Sequence, residues 1–195
     1  MLMRLRTPRP AVDPALAAYL NEQLARSSAL LDQLRRASRD PDLAAERTVL
    51  ADLRRQVAAD RATVRAAVRR LGVPTDWAVL GLGWASSRAS RLLPLLHRLP
   101  VVDRLPTPPS ARQDAVQALL ELEDLLAGMH RRQVAARVLA DVVETVGAAT
   151  GEQDERARAV RELPRRAEQQ LRAAEELHRR RAATLLPRPA GPGPR

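Results

Sequence analysis

From residue 13 to residue 186, apolar side chains recur at intervals of three and four, the period that gathers them on one side of an α-helix. A first helix over 13–38 opens at Asp13-Pro14, where the aspartate caps and the proline occupies the first helical position without losing a hydrogen bond. Its apolar stripe reads Leu16, Leu20, Leu24, Ser27, Leu31 and Leu34. A second Asp-Pro pair, Asp40-Pro41, starts a helix over 40–71 by the same logic. With so short a link, the two must lie antiparallel. The second helix has the most regular repeat of the chain, with Leu43, Leu50, Val57, Val64 and Leu71 in one register and Glu46, Leu53, Asp60 and Ala67 in the other. Gly72 and Pro74 stop it.

From residue 72 to residue 109 the repeat is lost. A short amphipathic helix over 76–92, carrying Trp77, Leu80, Trp84 and Leu92, is followed by a run whose prolines forbid a continuous helix. A third helix over 110–146 begins at Ser110, with Gln113 in the capping-box position, and its stripe reads Val116, Leu119, Leu122, Leu126, Met129, Ala136, Ala140 and Val143. Gly128 inside that helix costs about 1 kcal/mol against alanine and points to the close approach of another helix. A fourth helix over 152–186 has a weak start near Glu152 and a firm one at Pro164, with Val160, Ala167, Leu171, Ala174, His178, Ala182 and Leu185 on its face. Residues 1–12 and 187–195 read as disordered basic ends.

Two short links flanking a long middle connection describe two helical hairpins joined by a crossover, the connectivity of a ferritin-like four-helix bundle. An up-and-down bundle with an inserted helix gives a similar pattern. Composition supports an all-α class: at 195 residues with 2% aromatic content, the core must be built from leucine, valine and alanine.

The formal charge of +10 suits an anionic partner. Every basic residue is arginine and isoleucine is absent, however, as a GC-rich genome would also produce. Without cysteine there can be no disulfide, iron–sulfur cluster or thiolate zinc site. The basic start lacks a following apolar run and the longest apolar stretch falls far short of a bilayer, so the expected location is cytoplasmic.

The segments AYLNEQLA (18–25), ADRATVRAAVRRLGV (59–73), Trp84 and ELEDLLAGM (121–129) resemble an uncharacterised actinobacterial family of ferritin-like four-helix proteins. The resemblance covers the first three helices and the crossover and implies the fold without an activity. Asn21, Asp60, Arg61, Trp84, Glu121, Glu123 and Gly128 match the family pattern, whereas Ala58 and Ala59 stand where such proteins tend to have an additional acidic residue.

Three chemistries compete for the polar residues. A carboxylate-bridged iron centre in this fold needs a Glu-x-x-His from each of two helices and a glutamate from each of the others. Here there is one such pair, Glu175 and His178, which Glu46, Asp60, Glu123 and His130 could supplement as metal ligands. The alternative leaves Glu175 on the surface, paired with Arg172 or Arg179, and neutralises Glu46 and Asp60 with an inward-reaching arginine, Arg61 or one from the fourth helix. Arg131, Arg132, Arg179, Arg180 and Arg181 could attract nucleic acid through phosphate, and Trp77 and Trp84 could lay the crossover on an anionic membrane. Successive arginines diverge by about 100° around a helix, and aromatics for base stacking are scarce, which weakens the nucleic-acid reading. The reading that best fits the sequence is a non-catalytic structural or protein-interaction module that self-associates, without cofactor or complete di-iron site. A degenerate iron or redox site is the main alternative.

Overall fold

The computed structural model describes residues 13–73, 111–150 and 155–185, and these are all-helical. Helix α1 spans Pro14–Ala37, a 3-10 turn spans Pro41–Glu46, and helix α2 spans Arg47–Arg70. Helix α3 spans Ala111–Thr150, α4 spans Glu155–Arg161, and α5 spans Leu163–Leu185. The expected short helix over 76–92 and both chain ends lie outside the described residues.

Both Asp-Pro starts form as expected. The Asp13 carboxylate accepts from the Ala15 amide at 2.7 Å, and Asp40 does the same for Asp42 at 2.8 Å. The second start differs in one respect: it winds first as a 3-10 turn, kinked at Leu43, before α2 begins. Gly72 closes α2 with φ of 78°, a left-handed conformation that suits a residue without Cβ. Its amide bonds to Arg69 and that of Val73 to Val68, the paired hydrogen bonds of a Schellman stop. Val68 and Val73 are both buried, so the stop also seals one end of the core. Pro164 explains why the fourth rod is broken into α4 and α5. Its ring lacks a donor and collides with the carbonyl one turn earlier, so the helix restarts at Leu163.

Two apolar clusters fill the interior. One joins Leu30 and Leu34 of α1, Leu50 and Leu53 of α2, Leu122 and Leu125 of α3, and Leu177 of α5. The other joins Leu20 and Leu24 of α1, Val68 of α2, Leu139 of α3, Val160 of α4, and Leu163 of α5. The first cluster therefore holds the C-terminal half of α1, the N-terminal halves of α2 and α3, and the C-terminal half of α5. It follows that α1 and the fourth rod run one way and α2 and α3 the other. Because α2 and α3 are parallel, residues 74–110 connect opposite ends of the bundle, a span of about 36 Å for the 24 residues of α2. An up-and-down bundle would have made these helices antiparallel.

The stripes are correct in period but slip in phase. In α3 the buried positions are Ala118, Leu122, Leu125, Met129, Ala136 and Leu139, whereas Val116 is 46% exposed on the far side. In α5, Gln170 and Leu177 are buried, while Leu171 and His178 are only half-buried. In α1, Leu30 displaces Leu31 from the centre. Gly128 does mark a close approach: a Cβ there would stand 2.9 Å from Leu30 Cδ1, so α1 and α3 pack tightly at this level.

A buried ionic layer as the candidate functional site

Between the two apolar clusters, each helix interrupts its leucine repeat with polar residues. Helix α2 places Asp60 between Val57 and Val64, α3 places Arg132 and Gln133 between Met129 and Ala136, and α5 places Gln170 between Ala167 and Ala174. At the same level α1 carries Ser27 and Ser28, whose hydroxyls turn back to the Gln23 and Leu24 carbonyls at 2.8 and 3.0 Å. Asp60, Gln133 and Gln170 are buried. A charged side chain so placed is costly unless it is paired, and here Asp60 is hydrogen-bonded through Oδ2 and ion-paired through Oδ1.

The Asp60 side chain is 4% exposed and that of Arg132 12%. Arg132 Nη2 donates to Asp60 Oδ2 at 2.5 Å, while its Nη1 donates to Gln170 Oε1. Gln170 Nε2 donates to the same Asp60 Oδ2 at 2.9 Å, closing a three-membered ring of hydrogen bonds. The ring fixes the amide orientation of Gln170, since the opposite orientation would set NH2 against guanidinium and oxygen against carboxylate. On the other side Arg166 Nε lies 2.8 Å from Asp60 Oδ1, an ion pair but not a hydrogen bond, since that buried N–H has no hydrogen-bond partner, and its Nη2 donates to the Ala159 carbonyl at 3.2 Å. Arg166 thereby ties α5 to α4 across the break as well as to α2.

Two guanidinium groups thus share one carboxylate. Burial pulls Arg132 below the ordinary arginine value, and nearby Arg166 adds to the fall, while Asp60 opposes it. Arginine is basic enough to remain charged nonetheless. Arg61, the neighbour of Asp60 in sequence, does not serve as its partner. It is lowered first by burial and then by the like charge of Arg65 one turn on. The expectation of an inward-reaching arginine for Asp60 therefore holds through Arg166, from the fourth rod, and through Arg132 of α3.

The six candidate ligands do not come together. Asp60 is inside the ionic layer, bound by cations and an amide. Glu46 lies at the end of the 3-10 turn, half-buried, with Oε2 buried and lacking a hydrogen-bond partner, and among the described residues no arginine forms an ion pair with it. His178 Nε2 is 3.4 Å from Glu123 Oε1, a contact at the limit of a hydrogen bond between two partly exposed side chains. Glu175 is exposed, and the arginines expected beside it take other partners: Arg172 pairs with Glu168 at 2.5 Å and Arg179 pairs with Glu176. His130 is exposed on α3. Among the described residues no three histidine or carboxylate side chains are grouped to hold a metal ion.

Nor do the candidate anion-binding arginines form one patch. Arg132 is turned into the core, because it occupies a position of the buried repeat of α3, and Arg131 is exposed on the outward side. Arg179 and Arg180 both approach Glu176, and Arg181 is half-buried. Trp77 and Trp84 lie outside the described residues. Among these, no helix is long and apolar enough to cross a membrane. Of the residues matching the resembled family, Asn21 is buried beside the second apolar cluster and Glu121 is half-buried.

Sequence reasoning singled out Asp60 and expected an arginine of the fourth helix beside it without naming Arg166, and it missed Arg132 and Gln170 as partners. A signal existed. Once the α3 stripe is phased on Leu122, Leu125 and Met129, the next interior position is 132, and an arginine there must find a carboxylate. Comparison with protein-family models, with curated proteins and with solved structures finds no match to this chain.

Proposed function

We propose that this chain is a ferritin-like bundle that works as a non-catalytic structural or protein-interaction module, with an ionic layer at the level where such a bundle can house a metal centre. The observation that carries the reading is the occupancy of Asp60. Both of its oxygens face cationic or amide donors, and the nearest groups are guanidinium rather than imidazole or a second carboxylate. Parallel α2 and α3, joined end to end by residues 74–110, support the ferritin-like connectivity.

In such a module the layer fixes how the two hairpins dock. Asp60 belongs to the first hairpin and Arg132, Arg166 and Gln170 to the second, so sliding one past the other by a helical turn would strand charges in the apolar clusters. Buried polar groups are well attested in this register-setting role.

An anaerobic ferrous-iron titration of the full chain, with metal counted after desalting, tests the reading. The expected result is no retained iron in the wild type or in His178→Ala. Stoichiometric iron that disappears in His178→Ala or Asp60→Asn would overturn it in favour of a metal or redox site.

A further inference from the structure

Large apolar side chains are exposed at three places among the described residues: Val116 at 46%, Leu120 at 49% and Val134 at 46%. All three are on α3, and all lie on the side facing away from the bundle core. At 100° per residue, they fall within about 20° of exposed Ala127 around the helix. The charges flanking this stripe are segregated along it. Glu123 and Asp124 precede Ala127, while His130 and Arg131 follow it.

Several exposed charges elsewhere pair within their own helix, as in Arg26–Glu22 at 2.8 Å, Arg55–Asp52 at 2.8 Å and Arg165–Glu162 at 3.0 Å. On the outer face of α3 this does not happen. Acidic and basic groups stand seven residues apart, beyond reach of each other, and neither Asp124 nor Arg131 has an ion-pair partner among the described residues. Glu123 makes only the marginal contact to His178.

A second copy of the same surface supplies what is missing. When two identical helices pair antiparallel about a two-fold axis at Ala127, position 127 − k on the seam faces position 127 + k. Leu120 then faces Val134, and on the two flanks of the seam, where positions on the same side meet, Asp124 stands opposite Arg131 and Glu123 opposite His130. The small side chain at the axis lets the helices approach closely. A surface complementary to itself in both apolarity and charge is what an isologous dimer requires.

We infer that the outward face of α3 is a homodimer interface, with the two-fold axis passing at Ala127 and Asp124–Arg131 pairs bridging the copies on both sides. This names the partner in the interaction-module reading and rests on it. The tests are nevertheless separable: a monomer that retains no iron overturns only the interface, and an iron-loaded dimer overturns only the metal-free reading.

Sedimentation equilibrium of the full chain over a concentration series tests the inference. The wild type is expected to show a reversible monomer–dimer equilibrium, and Arg131→Glu to raise its dissociation constant about tenfold or more, since each dimer loses two attractions and gains two repulsions. Combining Asp124→Arg with Arg131→Glu should bring it back to within about threefold of wild type, because the pairs are restored with reversed sign. Since the chain has no cysteine, Ala127→Cys also provides a direct probe. It should form a disulfide-linked dimer under mild oxidation, whereas Ala58→Cys on the exposed side of α2 should not. A monomeric wild type, equal cross-linking at both cysteines, or an unchanged equilibrium in Arg131→Glu would each overturn the interface.

Discussion

Glu46 and Asp60 occupy equivalent points of one heptad stripe, yet they have opposite fates. Asp60 is at the middle of α2, where three other rods surround it, and it is met by Arg132, Arg166 and Gln170. Glu46 is at the end of the bundle, where a 3-10 turn runs into α2, and its carboxylate is half out of the interior with one oxygen unsatisfied. A stripe tells which side of a helix faces the core. The level along the helix axis decides how completely a carboxylate is enclosed, and hence how fully the fold must pair it: Asp60 is paired on both oxygens, whereas half-buried Glu46 keeps Oε2 unpaired.

The sharpest way to break this contrast is Asp60→Ala, which leaves two guanidinium groups facing each other without a counter-charge. It should cost about 3–5 kcal/mol, read as a fall in the urea midpoint. A loss as small as that of a surface substitution would show that Arg132 swings out to water and that the layer is not closed. Arg132→Met should cost less, about 2 kcal/mol, because Arg166 and Gln170 still hold the carboxylate. Joining Asp60→Leu to Arg132→Met removes one charge of each sign and leaves Arg166, 35% exposed, to turn to water, so this double variant should be more stable than Asp60→Leu alone. Comparing the four urea midpoints gives a coupling of about 2 kcal/mol, and strict additivity would contradict the layer. Gly128→Ala should change stability by less than about 1 kcal/mol, since the gain in helix propensity offsets the displacement of Leu30 Cδ1. Glu46→Gln is the smallest test: thermal unfolding should shift by no more than about 0.5 kcal/mol, as expected at the partly wet end of the same stripe.

Much of the bundle was legible because its signals are local. Two Asp-Pro starts, the Gly72 stop and the restart at Pro164 depend on a few neighbouring residues, and all act as their chemistry dictates. The phase of the longer stripes was harder to read, because α3 is apolar on two sides. Val116, Leu120 and Val134 compete with Leu122, Leu125 and Met129, and choosing the wrong set hides Arg132 among surface arginines. Similarly, Glu175 and His178 attract attention through their spacing, while the neighbouring Leu177 is the residue that packs in the core. Partner choice in the layer was legible only as an arginine from the fourth helix, since Asp60 is 72 residues from Arg132 and 110 from Gln170.

Those separations also bear on the order in which the molecule assembles. The α1–α2 hairpin and the pairing of α3 with α5 close over short stretches of chain, and such contacts form early and fast. The layer cannot exist until the two hairpins have met across residues 74–110. Its bonds therefore belong after the folding barrier, and their energy should appear in how slowly the bundle comes apart rather than in how quickly it forms. In a chevron plot, Asp60→Asn should then raise the unfolding limb and leave the refolding limb unchanged, making this buried ionic layer a kinetic latch.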